Sequence, residues 1–320
     1  MRLVQSIALS AAAAFAIPSA AEAAAACDRA CLETQVGNYL DALASHDRAK
    51  AALAPGVRFT ENGQELAVGD GLWGTITGLG SYRHVFADPD SGQAAVITTV
   101  TEHAARSILV ARLKLTDGRI TEIETIVSRP GGSGPMARGG EMLEERKAPE
   151  AIWTSAVPPT ERMSRADLQR VANKYFAGLE KNDGKGDYPF SDDCNRIENG
   201  FQTTNQKAPS GASGPAATIM TLGCKAQFQT GFFRFVDRIR DRRFPLIDVE
   251  RGVVFALGFF DHSGTVPKVT LTDGQTVDVS LTSPFTWEIG EAFKIEKGRI
   301  RRIEAAMTQS PYGMRPNWPD

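Results

Sequence analysis

Apolar residues recur at helical spacing in two places. Leu32, Val36, Tyr39, Leu40 and Leu43 share one face of a stretch over residues 28–47. Leu168, Val171, Tyr175, Phe176 and Leu179 do the same behind Ser164, an N-cap residue with Asp167 three positions on. Both patterns predict an amphipathic helix. Shorter runs follow each helix. Residues 57–60 predict a strand, and Asn62-Gly63 is a strong signal for a tight hairpin with residues 64–68 returning. Residues 81–86 predict a short helix, and residues 95–102, 107–115 and 119–128 three strands. In the second half, residues 228–240 predict a helix. Residues 244–249 and 253–260 predict a hairpin, and 269–281 an extra one about Asp273-Gly274. Residues 285–295 and 299–307 predict two closing strands.

These patterns repeat. Asn38-Tyr39-Leu40, Leu43 and His46-Asp47 return as Lys174-Tyr175-Phe176, Leu179 and Asn182-Asp183. Glu61-Asn62-Gly63 returns as Glu198-Asn199-Gly200. Lys114 through Gly118-Arg119-Ile120 to Glu124 returns as Lys294 through Gly298-Arg299-Ile300 to Glu304. Three blocks in one order predict two related domains, at residues 24–130 and 164–320, joined by a Gly-, Pro- and Ala-rich linker over 131–163. Helices followed by antiparallel strands predict an α+β fold, each domain a cone-shaped sheet laid on its helices.

Residues 1–23 read as a signal peptide: Arg2, an apolar run over 3–17, then Ala21-Glu22-Ala23. A lipoprotein signal at Cys27 is the alternative, although Ala24-Ala25-Ala26 lacks the expected bulky residue. Export predicts a periplasmic or secreted protein with no membrane insertion after cleavage. Cys27, Cys31, Cys194 and Cys224 allow three pairings, and pairing within each half is the simplest in an oxidising compartment. Zinc is the competing reading, but no CxxC pair or nearby His cluster supports it. With 36 basic and 38 acidic residues the chain has no electrostatic footprint for nucleic acid.

The tyrosine-bearing helices, the Glu-Asn-Gly hairpins and the paired closing strands resemble the nuclear transport factor 2-like superfamily in its SnoaL-like branch. The resemblance spans nearly all of both halves. It implies cones with open mouths. It also implies a range of activities, among them isomerases, dehydratases, cyclases and cofactor-free lyases, together with plain adaptor proteins. Fold alone does not choose among these.

The candidate chemistry is therefore sought in side chains. Along the second hairpin strand Cys194, Arg196 and Glu198 share a face, so Glu198 is a candidate proton-transfer group. A Glu kept in both copies is read more readily as part of the shared turn than as a site residue. Arg234 and Arg238 are candidates for holding an oxyanion; surface pairing with Asp237 and Asp241 is the alternative. His262 is a candidate proton shuttle and Tyr188 a candidate for orienting substrate. Arg196, Tyr175, Phe232 and Asp193 are candidate binding residues. Glu61, Tyr82, His84 and Trp73 mark a candidate pocket in the first half. Gly69 to Gly74 matches G-x-G-x-x-G, but no βαβ unit surrounds it. The reading is an exported enzyme using acid–base chemistry, without metal or cofactor, on a hydrophobic aromatic or polyketide-like molecule. A binding module and a dimerising scaffold are the alternatives, and a homo-oligomer is left open.

Overall fold

The computed structural model describes residues 27–131, 135–207 and 215–318. The expected signal peptide lies outside these residues, as does most of the loop at 206–214. The first domain runs α1 (Arg29–Ala44), β1 (Leu53–Glu61), β2 (Gln64–Glu65), α2 (Leu72–Thr75), β3 (Gly78–Asp88), β4 (Gln93–Glu102), β5 (Ala105–Thr116) and β6 (Arg119–Ser128). After α3 (Gly139–Arg146) the second domain runs α4 (Arg165–Leu179), β7 (Phe190–Glu198), β8 (Phe201–Gln202), α5 (Pro215–Thr221), α6 (Cys224–Gln229), β9 (Arg238–Asp248) and β10 (Val253–His262). It ends with the small hairpin β11 (Lys268–Thr270) and β12 (Thr276–Asp278), then β13 (Phe285–Glu296) and β14 (Arg299–Ser310).

The duplication is topological. The sheets are ordered β2-β1-β6-β5-β4-β3 and β8-β7-β14-β13-β10-β9, so equivalent strands occupy equivalent places. Each sheet is antiparallel except for one parallel pair, β1 with β6 and β7 with β14. The repeated Asn-Gly turns explain part of this. Asn62 and Gly63, like Asn199 and Gly200, take positive φ, as a two-residue hairpin requires. Each Asn side chain then bonds the neighbouring strand as backbone would. Asn62 Oδ1 accepts from Val127 N at 2.7 Å and Asn199 Oδ1 from Met307 N at 2.8 Å.

Two expectations are corrected. Residues 81–86 lie in strand β3, where Tyr82, His84 and Phe86 are buried on one face at a period of two. Residues 228–240 are not one helix: Gly231, at φ 70°, ends the turn after α6, a 3₁₀ turn follows, and β9 begins at Arg238. Between the two domains α3 buries Leu143 and a later turn buries Trp153.

Each sheet packs its helices on one face and the other sheet on the opposite face. Helix-side cores gather around Tyr39, Phe59 and Trp73 in the first domain, and around Tyr175, Phe176 and Phe293 in the second. A third core, with Phe86, Ile97, Val110, Phe255 and Leu257, lies between the sheets. A Cβ on Gly290 would meet Val110 Cγ1 at 2.8 Å, which marks how closely the sheets approach. Strand β10 is buried along its whole length, which explains its nearly unbroken apolar sequence. The ion pairs Arg29–Asp248 and Arg165–Asp88, both at 2.6 Å, tie the domains at the seam. The tail crosses back to the first domain, where Trp318 Nε1 donates to Thr60 Oγ1 at 2.9 Å. Two disulfides, Cys27–Cys31 and Cys194–Cys224, pair within each half and are compatible with an extracytoplasmic protein. Among the described residues no helix is long and apolar enough to cross a membrane.

Candidate functional site

The second cone is hollow. A cavity of about 130 Å³ lies between α4, α6 and the inner face of the sheet. Phe232, Phe233, Phe235, Phe260 and Trp287 form much of its wall, and Tyr175, Arg196, Glu198, Thr203, Gln227 and Glu291 bring polar atoms to it. Local geometry places the polar group. Strand alternation puts Cys194, Arg196 and Glu198 on the helix-side face of β7. The Cys194–Cys224 disulfide holds α6 against that strand, so Gln227 on α6 reaches Arg196. Glu198 and Glu291 both lie opposite Ala305 of β14, one from each side. The small residue between them leaves the two carboxyl groups neighbours across the sheet.

Arg196 is fully enclosed. Its Nη1 donates to Gln227 Oε1 at 2.7 Å and its Nη2 to Glu198. Burial works against its charge, but Glu198 and Tyr175 outweigh burial and hold its pKa above the ordinary value. Gln227 is itself fixed, donating to the carbonyls of Thr203 at 2.8 Å and Ile219 at 3.1 Å. Glu291 has no cation of its own. Burial, reinforced by the charge of Glu198, pushes its carboxyl up to about 8, so it is protonated at neutral pH. Tyr175 shares a hydrogen bond with Glu291, and burial raises its hydroxyl pKa well above 10.0.

Three buried polar atoms of residues that line the cavity lack a partner among the described residues: Arg196 Nε, Thr203 Oγ1 and Glu291 Oε2. Leaving such an atom unmatched costs about 1–3 kcal/mol. Glu198, ion-paired to Arg196, and a protonated Glu291 put a proton acceptor and a proton donor within one apolar chamber.

A family profile described as "Domain of unknown function (DUF8021)" matches residues 25–127 and 161–307. The chain belongs to this family. A comparison with curated proteins finds no match. Among solved structures, a candidate ketosteroid isomerase from Kribbella flavida is 21% identical, over 32% of this chain and 79% of that one, with a TM-score of 0.25. AclR, a candidate hydroxylase from Streptomyces galilaeus, is 14% identical over 46% and 83%, with a TM-score of 0.27. A de novo designed protein with a curved β-sheet is 17% identical over 46% and 88%, with a TM-score of 0.23. Scores this low carry no argument about chemistry, so the DUF8021 site rests on its own geometry.

Of the residues expected from sequence, Glu198, Arg196, Tyr175 and Phe232 meet at the cavity. The others lie elsewhere. Tyr188 is buried beside it, its hydroxyl accepting from Asn182 at 2.9 Å and its ring packed on Phe228. His262 is enclosed by Phe235, Phe285 and Trp287, and burial lowers its pKa to about 4. Arg234 is exposed and donates to the Asn182 carbonyl at 3.2 Å. Arg238 pairs with Asp261, and Asp193 with Arg301. Arg234 and Arg238 share no helix face, because a 3₁₀ turn and β9 replace the expected helix.

The first-domain candidates do not form one pocket. Trp73 lies on the helix side, edge to face with Tyr39 at 5.7 Å. Tyr82 and His84 lie on the opposite face, both bonded to Glu304 of the second domain, at 2.8 and 2.9 Å. Glu61 is occupied structurally, accepting from Leu72 N at 2.6 Å and pairing with Arg129 at 3.0 Å. Sequence reasoning missed Gln227, Thr203 and Glu291 as site residues. Glu291 carried a signal: it is an acid on the apolar face of a closing strand, between Ile289 and Phe293. Among the described residues no group of three or more His, Cys, Asp or Glu side chains gathers as a metal site.

Proposed function

We propose that this protein is an exported, nuclear transport factor 2-like enzyme whose second domain moves a proton on a hydrophobic small molecule. The carrying observation is the enclosed pairing of Glu198, ion-paired to Arg196, with protonated Glu291 across Ala305. Glu198 takes the proton, Arg196 faces the charge that develops, and Glu291 donates to it. Isomerisation, elimination and carbon–carbon cleavage all begin with such a transfer. Side chains supply every group in this scheme. The first domain acts as a scaffold, its sheet backing the second sheet.

The test is a thermal-shift screen against aromatic metabolites, with turnover of each hit measured in wild type, Glu198→Gln and His262→Ala. Loss of turnover in Glu198→Gln by about 10²-fold or more, with His262→Ala near wild type, is expected. Unchanged turnover in Glu198→Gln overturns the assignment. A non-catalytic binding module is favoured if ligands stabilise the protein and none is converted.

A further inference from the structure

Resting on that assignment of the site, we infer that the cavity selects an uncharged, single-ring ligand that enters with an acceptor oxygen, such as a carbonyl, leading. Charge comes first. Arg196 is already balanced by Glu198, and Glu291 and Tyr175 are neutral, so the chamber has no net charge to offer a ligand ion. Gln227 holds Nη1 and Glu198 holds Nη2, and Nε is the guanidinium nitrogen without a partner among the described residues.

The unmatched atoms say which end of the ligand is polar. Arg196 Nε carries a hydrogen to donate. Tyr175 bonds Glu291, and the other carboxyl oxygen of Glu291, Oε2, is unmatched, so the acid proton is free to be donated from there. Thr203 Oγ1 adds a hydroxyl. Two unmet donors and a hydroxyl among the lining residues call for an acceptor, and the aromatic remainder calls for an apolar body. Size then limits that body. An apolar cavity of about 150 Å³ accommodates benzene. This one, at about 130 Å³, accepts a single ring and is too small to enclose a fused polycycle.

The experiment is calorimetric titration of the full chain at pH 7 with four probes: acetophenone, benzoate, ethylbenzene and a tetracyclic ketosteroid. Acetophenone is expected to bind at least tenfold more tightly than each of the others. Thr203→Val should weaken it about tenfold. Raising the pH above about 8 should weaken it in wild type, as Glu291 loses its proton, and leave Glu291→Gln unaffected. Equal or tighter binding of benzoate or of the ketosteroid overturns the inference, as does no binding of acetophenone at millimolar concentration. Turnover is not read in this experiment, so binding in the expected order supports the ligand class whatever the turnover test with Glu198→Gln shows.

Discussion

Two interiors built on one plan have diverged. Counting along the repeated motifs, Tyr39 corresponds to Tyr175, Glu61 to Glu198, Phe59 to Arg196 and Ala111 to Glu291. In the first domain Phe59, Tyr39 and Trp73 fill the space over the sheet, and Glu61 is tied to Leu72 N and Arg129. In the second, Arg196 and Glu291 replace a phenylalanine and an alanine at the same depth, and a chamber remains. The shared Asn-Gly turn belongs to the fold, since both asparagines bridge strands in the same way. The chemistry belongs to the positions that differ. Burying a guanidinium and an additional carboxyl where apolar side chains suffice is a stability cost, and such costs concentrate at functional sites.

The largest effect should come from disrupting this asymmetry on one side. Arg196→Met leaves Glu198 without its partner beside Glu291, and should cost about 3–5 kcal/mol in denaturant unfolding. Converting the ion pair together, Arg196→Phe with Glu198→Leu, leaves neither charge stranded. It should unfold within about 1–2 kcal/mol of wild type, because apolar replacement of a buried ion pair is often neutral or stabilising. It should also bind no ligand. A double variant as unstable as Arg196→Met would show that the cost does not lie in the unpartnered carboxylate of Glu198.

A smaller effect follows from pH. Glu288, buried at the sheet-to-sheet face with Glu124 nearby, is likewise pushed up to about 8. In the unfolded chain both Glu288 and Glu291 lose their protons near 4.5, so between about 4.5 and 8 the folded state binds more protons. Stability should therefore fall as pH rises through that window and level off above it. Glu291→Gln should flatten the fall by an amount on the order of a few kcal/mol, measured by urea unfolding at pH 5 and pH 8. The smallest effect is expected from Arg234→Ala, whose side chain is exposed and lies outside the cavity. It should change stability by less than about 1 kcal/mol and leave ligand binding unchanged.

The helices, both Asn-Gly hairpins and the closing strands were legible in the sequence because each obeys a single local period or a turn residue with a steric reason. Strand β3 was misread because its polar residues Ser81, Arg83 and His84 obscure a period of two. His84 is polar yet buried, held by Glu304, a partner 220 residues away. The stretch after Phe228 was misread because Gly231 punctuates a run otherwise composed for a helix. At the site, Glu198 and Arg196 were visible through strand alternation. Gln227 was not, because its role depends on α6 being stapled to β7 by Cys194–Cys224. Glu291 becomes meaningful once its register against Ala305 and Glu198 is known.

The chemistry of the second cone depends on Glu291 standing protonated inside it. Carbon-13 NMR of the labelled glutamate carboxyl carbons, with the Glu291 signal identified by its loss in Glu291→Gln, reads this directly. A midpoint near pH 8 is predicted. A midpoint in the ordinary carboxylate range, near 4.5, would contradict the account.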